Sequence, residues 1–191
     1  LPRASGEPAN LRIDVVGDEG PLDPIWQNLA QGGEDKNFSF EPIKDLVKPL
    51  KPKYIRIDHI YDFYDIVGRE NGQLTFNWTK LDAVLSGIRA TGALPYISLS
   101  YMPPALNSSG DITGKPDNWG EWQLVVQKTI EHVSGRSGLN LPNVYYEVWN
   151  EPDLFGGWKT YGDKNYLVLY QFASQGAARA ANTNAFKIGG P

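Results

Sequence analysis

Asn150 and Glu151 are the adjacent pair in this chain best able to do chemistry: an amide and a carboxylate side by side, followed at once by Pro152. A carboxyl group carries a proton to or from a reacting atom, and an amide offers two donors and an acceptor to hold a hydroxyl in place. The two residues end the run Val144-Tyr-Tyr-Glu-Val-Trp-Asn-Glu-Pro-Asp153, whose apolar and aromatic opening reads as a strand. A strand that delivers such groups to its C-terminal tip and then stops at a proline is how a parallel α/β barrel presents reactive side chains. The plainer alternative is a turn asparagine followed by a surface glutamate.

Other residues bear on that pair. Glu147 lies within the strand, and an inward-facing carboxylate there must be paired; Arg56, in Tyr54-Ile-Arg-Ile-Asp58, is the candidate partner. The series Asp58-His59-x-x-Asp62-x-x-Asp65 invites a metal reading. Its spacing follows neither helix nor strand periodicity, and the only other histidine is the distant His132, read as a helix-surface residue. The sequence therefore predicts no metal, and a polar second loop instead. No GxGxxG, P-loop or Gly-x-Ser-x-Gly pattern occurs, so no cofactor is expected. There are no cysteines, which removes disulfides, thiolate zinc sites and cysteine nucleophiles together. Of the six tryptophans, Trp149 at the strand tip and Trp158 in Phe155-Gly-Gly-Trp158 are placed to stack on a sugar ring or to pack the mouth of a barrel.

The elements that must position these groups alternate. Leu11–Val16 reads as a first strand, and Gly17–Asn37 as a long loop with one short turn near Trp26. Ser39 can cap a helix over about Phe40–Leu50. Tyr54–Asp58 is a second strand, followed by a Tyr- and Asp-rich loop through Gly72. Asn77 precedes an amphipathic helix with Trp78, Leu81, Val84, Leu85 and Ile88 on one stripe and Gly92 at its end. Leu94–Ser100 is a third strand, and Trp119, Trp122, Val125, Val126, Ile130 and Val133 mark the next helix. Val144–Trp149, a helix around Tyr166–Ala177, and Lys187–Gly190 complete the order. Four strand–helix repeats and the start of a fifth strand predict a parallel sheet with right-handed crossovers.

These residues resemble glycoside hydrolase family 39 within clan A, a family of β-xylosidases and α-L-iduronidases. Tyr146-Glu-Val-Trp-Asn-Glu-Pro-Asp153 resembles its fourth-strand signature, and Tyr101-Met102-Pro103 its third-loop pattern. Arg56 with His59 resembles the end of its second strand, and Ile188-Gly-Gly-Pro191 the start of its fifth. One departure is visible: two residues, Ile57 and Asp58, separate the arginine from the histidine where the family pattern has one. The resemblance implies a (β/α)8 TIM barrel and a retaining mechanism. It implies Glu151 as general acid/base, Asn150 as the ligand of the sugar hydroxyl beside the anomeric carbon, and His59 as a further substrate contact. The nucleophile would be a second glutamate on a seventh strand, which this chain does not contain.

The expectation for the whole is an N-terminal tail or linker over 1–10 and a partial glycosidase barrel over 11–191, of which only four βα units and the start of strand five are present. The implied function is β-xylosidase-like hydrolysis of plant or microbial poly- or oligosaccharides, with the fragment alone inactive. The alternative is a non-catalytic carbohydrate-binding barrel without the nucleophile. The expected partners are a carbohydrate and either the missing half of the barrel or a second copy of the chain. A net charge of −4 gives no footprint for nucleic acid, and no apolar run approaches a membrane span. The polar Leu1–Pro8 stretch fits a secreted or periplasmic chain after signal removal, but fixes no compartment.

Overall fold

The computed structural model describes residues 10–18, 20–21, 23–31, 35–157 and 159–190. Five strands, β1 (Asn28–Ala30), β2 (Tyr54–Ile57), β5 (Leu94–Leu99), β6 (Val144–Val148) and β7 (Phe186–Gly189), form one sheet in which every pair is parallel. Their spatial order is their chain order, so each new strand adds to the same edge and the winding never reverses. Between them lie helices α1 (Lys44–Val47), α2 (Ile60–Phe63), α3 (Thr79–Ala90), α4 (Trp119–Val133) and α5 (Tyr166–Arg179).

The side-chain period of two divides the sheet. Ile55, Ile57, Ile97, Leu99, Val144, Tyr146 and Val148 are buried in one core with the apolar stripes of α3, α4 and α5. Each such Ile, Leu or Val contributes about 1.5–3 kcal/mol when fully removed from water. On the other face Tyr54, Arg56, Tyr96 and Tyr145 line an open hollow of 530 Å³. The ring of Tyr145 stacks on Tyr96 at 5.6 Å and meets Tyr54 edge-on at 5.0 Å.

Local chemistry explains the main helices. Asn118 Oδ1 accepts from Gly120 N at the start of α4, and Asn165 Oδ1 accepts from Val168 N at the start of α5. Gly92 takes φ +94° just past α3, a conformation open to glycine. The segment predicted as one helix over Phe40–Leu50 is instead three short turns: a 3-10 turn Glu41–Ile43, the α1 turn, and a 3-10 turn Lys48–Leu50. Pro42 and Pro49 each remove a backbone donor there.

Three further expectations need correction. Leu11–Val16 is not a strand: Leu11, Ile13, Val15 and Val16 are 80–89% exposed, and no strand includes them. The first strand is Asn28–Ala30, inside the stretch predicted as loop, where its pairing with β2 outweighs a weak local propensity. The loop predicted through Gly72 contains an antiparallel hairpin, β3 (Val67–Glu70) and β4 (Gln73–Phe76). Its turn residues Asn71 and Gly72 have φ of 50° and 80°, the positive pair that a type I′ turn demands. His132 is not a plain surface residue either. Its ring stacks on Trp78 at 4.4 Å, and Nε2 lies 2.6 Å from Asp82 Oδ1. Of the proposed tail, only Asn10 lies among the described residues.

Candidate active site

The chemistry-bearing side chains gather at the C-terminal ends of β2, β5 and β6. Arg56 sits on β2, with Asp58 and His59 just beyond it; Tyr101 stands two residues past β5; Asn150 and Glu151 stand two and three residues past β6. In a parallel sheet these ends are neighbours, and the loops leaving them are free to carry function.

A chain of hydrogen bonds joins them. Arg56 Nε donates to Glu147 Oε2 at 2.6 Å, Nη1 to Asp58 Oδ2 at 3.1 Å, and Nη2 to Asn150 Oδ1 at 2.8 Å. With Oδ1 held by the guanidinium, the Asn150 amide must present Nδ2 the other way, and it donates to Tyr101 Oη at 2.7 Å. The Tyr101 hydroxyl in turn donates to Glu151 Oε2 at 3.3 Å. One half-buried cation thus fixes the amide, the amide fixes the phenol, and the phenol reaches the carboxylate. Glu151 itself is exposed.

Asp62, at the third position of α2, ties the second and third loops together. Its Oδ1 accepts from the Tyr101 backbone N–H at 3.1 Å, and its Oδ2 lies 2.8 Å from His59 Nδ1. The His59 ring stacks on Phe63 at 4.2 Å and meets Tyr101 edge-on at 4.6 Å. His59, Trp149 and Glu151 hold positive φ of 55°, 74° and 50°. Non-glycine residues in that region store about 1–3 kcal/mol each and concentrate at working sites.

The electrostatics follow from this packing. Burial lowers the Arg56 guanidinium, but hydrogen bonding and charge from Glu147, then Asp58, more than offset it and hold the group above its ordinary value. Burial raises the Tyr101 phenol; the Asn150 hydrogen bond opposes this and the nearby Glu151 charge adds to it. Tyr101 is therefore a neutral O–H donor across the physiological range. Tyr64 is pushed up to about 12, by burial first and then by the charges of Asp58 and Asp62.

The structure brings Arg56, Glu147, His59, Asn150 and Glu151 to one end of the sheet. Of the two readings of Trp149, contact with a sugar is corrected and packing holds: it is fully buried, with its ring against Tyr101 at 5.2 Å and Phe155 at 5.0 Å, and it supports the loop from beneath. Its carbonyl accepts from Ser98 Oγ at 2.8 Å. Trp158 lies outside the described residues. Sequence reasoning placed Asp58 and Asp62 in a polar second loop and Tyr101 in a third-loop pattern, without giving any of the three its own role. For Tyr101 the signal was present, since it follows its strand by the same two residues that separate Asn150 from β6. Among the described residues no group of three or more His, Asp or Glu side chains is placed to hold a metal ion, and no helix is long and apolar enough to cross a membrane. The arrangement supports proton transfer at an exposed carboxylate beside an oriented amide, against a wall formed by His59, Phe63 and Tyr101.

Comparison with known proteins finds several relatives. A β-xylosidase of Caldicellulosiruptor saccharolyticus is 29% identical over 131 residues, covering 64% of this chain and 26% of the relative. Human α-L-iduronidase is 29% identical over 143 residues, covering 73% of this chain and 21% of the relative. The chain thus spans about a quarter of the length of these curated relatives. Among solved structures, a monomeric β-xylosidase from Caulobacter crescentus CB15 superposes with a TM-score of 0.67 at 24% identity, over 90% of this chain and 37% of that one. The GH39 enzyme from Xanthomonas axonopodis pv. citri gives 0.61 at 25% identity, over 78% and 31%. The family model for glycosyl hydrolases family 39 matches residues 10–191, nearly the whole sequence with its Asn150-Glu151 strand tip, and the chain belongs to that family.

Proposed function

We propose that this chain is the first half of a (β/α)8 barrel, and that the barrel it helps to form is a retaining O-glycoside hydrolase of β-xylosidase type. The observation that carries the reading is Glu151: an exposed carboxylate at the tip of β6, joined through the Tyr101 hydroxyl to the oriented amide of Asn150. The unreversed strand order supports the barrel, because a sheet that always grows at one edge closes on itself when continued, whereas a doubly wound sheet switches direction.

In this reading Glu151 is the general acid/base, and Asn150 with His59 holds the sugar. Retaining hydrolysis needs a second carboxylate about 5–5.5 Å away. Glu147 and Asp58 are both taken up by Arg56, and the family resemblance implies a nucleophile from a later strand of the barrel. That carboxylate attacks the anomeric carbon as the glycosidic C–O bond breaks, and the Glu151 proton passes to the departing oxygen. Water then attacks the glycosyl ester, gives its proton to Glu151, and releases the sugar and the free carboxylate.

The test is Glu151→Gln in the polypeptide that completes the barrel. Hydrolysis of xylosides with poor leaving groups should fall by 10²-fold or more, on the order expected for general acid catalysis. Cleavage of dinitrophenyl xylosides, which need little protonation, should lose far less in its first step. Equal losses on both substrates would remove Glu151 from the acid role.

A further inference from the structure

The hydrogen bond from Tyr101 to Glu151 decides which carboxyl oxygen can carry the transferable proton. A phenol has one proton and two lone pairs. The Asn150 Nδ2–H occupies one lone pair of Tyr101 Oη at 2.7 Å, which leaves the single Tyr101 proton directed at Glu151 Oε2 at 3.3 Å. The phenol cannot turn away, because its backbone N–H is held by Asp62 Oδ1 and its ring is wedged between His59 and Trp149. Tyr101 is only 4% exposed, so water does not compete freely for its hydroxyl. Among the described residues no side chain donates to Glu151 Oε1.

We infer that Tyr101 is a positioning residue for the acid/base carboxylate: its O–H caps Oε2, so the proton that moves to the leaving group, and later returns from water, resides on Oε1. The inference rests on the glycosidase reading of Glu151 for its consequence, but the contact stands on its own geometry. When Glu151 is protonated on Oε1, Oε2 still accepts from Tyr101. When it is ionised, the same bond persists to a charged acceptor and shortens. The carboxyl group therefore keeps one orientation through both halves of the cycle, and neither half has to wait for it to rotate. The 3.3 Å separation of a site without substrate is of the kind that tightens in the complex.

Two experiments test this. Tyr101→Phe keeps the ring between His59 and Trp149 and deletes only the hydroxyl. In the barrel-complete protein it should lower kcat on poor-leaving-group xylosides by about 3- to 10-fold, the worth of one ordinary hydrogen bond. A residue acting through Glu151 shows no such loss once Glu151 is gone. In the Glu151→Gln background the same change should therefore cost less than twofold. Equal losses in both backgrounds would make Tyr101 a structural residue and overturn the inference. A wild-type protein that cleaves no glycoside would defeat the glycosidase reading instead, so the contact is also read directly in this 191-residue chain with 13Cζ-labelled tyrosine. The resonance assigned by its loss in Tyr101→Phe should move with a carboxylate titration, and that movement should vanish in Glu151→Gln. A Tyr101 signal that stays flat through the carboxylate range would overturn the inference whatever the enzyme does.

Discussion

Arg56 and Glu147 are 91 residues apart in sequence and 2.6 Å apart in space, and the strands that carry them are not neighbours. β5 lies between β2 and β6, so the pair reaches across it on the open face of the sheet. Each side chain is largely shielded, with 26% and 9% of its surface exposed. Removing the cation should therefore cost more than removing one anion. Arg56→Met leaves two carboxylates, Glu147 and Asp58, without their partner and should destabilise by about 2–4 kcal/mol. Glu147→Gln leaves the guanidinium bound to Asp58 and Asn150 and should cost about half as much. Urea unfolding of the two variants measures the difference.

Helices α4 and α5 touch at Gly176. A Cβ built there would lie 2.4 Å from the Gln123 carbonyl oxygen and 3.1 Å from Val126 Cβ. Backbone cannot step aside as a flexible side chain can. Gly176→Ala should lower stability by about 1–3 kcal/mol, despite alanine's better helix propensity. A thermal melt that rises in Gly176→Ala would contradict the close approach.

Stability should fall steeply in alkali. Burial raises Tyr61, Tyr146 and Tyr166 well above the ordinary phenol range, and Tyr64 to about 12. A raised folded-state pKa means that the stabilisation is complete below the unfolded value near 10 and is lost as pH climbs through the folded value. Tyr64 alone, raised from near 10 to about 12, should withdraw about 2–3 kcal/mol between pH 10 and 12. Denaturant midpoints at pH 9 and 11.5 should show the drop, and Tyr64→Phe should reduce it. Absorbance at 295 nm should divide the tyrosines into an early and a late class.

Asp62 fixes a tautomer. An ionised carboxylate only accepts, so the His59 Nδ1 that faces Asp62 Oδ2 at 2.8 Å carries the proton. In Asp62→Asn the amide oxygen can still accept from the Tyr101 N–H, which leaves its NH2 facing Nδ1. Neutral His59 should then switch its proton to Nε2. Long-range 1H–15N spectra distinguish the two forms, and an unchanged tautomer in Asp62→Asn would mean that Asp62 does not set it.

Much of this architecture was legible because periodicity is local. The stripes of α3, α4 and α5, and the apolar runs at Tyr54, Leu94 and Val144, announce themselves within a dozen residues. The first strand was misread for the same reason: Leu11–Val16 looks more strand-like than Asn28–Ala30, and only pairing with β2 reveals which one joins the sheet. The hairpin was overlooked although Asn71-Gly72 is a strong turn signal, because short strands inside a loop carry little apolar weight. At the site, Asn150 and Glu151 could be read from a strand that stops at a proline. Tyr101 shows its place two residues past its strand, but the amide it binds, 49 residues away, leaves no local mark. For Trp149 two readings stay open in the sequence, because a strand-tip aromatic gives no sign there of whether it points up or down.

The β3–β4 hairpin bears on how such sites diversify. Arg69, on β3, donates to the Ala105 carbonyl at 3.0 Å and to both carboxylate oxygens of Glu121 at 2.6 and 2.9 Å. It therefore braces the excursion that carries Tyr101 against the helix that follows. Two loops that look independent in sequence are mechanically one piece. A loop exchange intended to retune this site would have to transplant both segments with the arginine that bolts them together; moving either alone would leave the other without its scaffold.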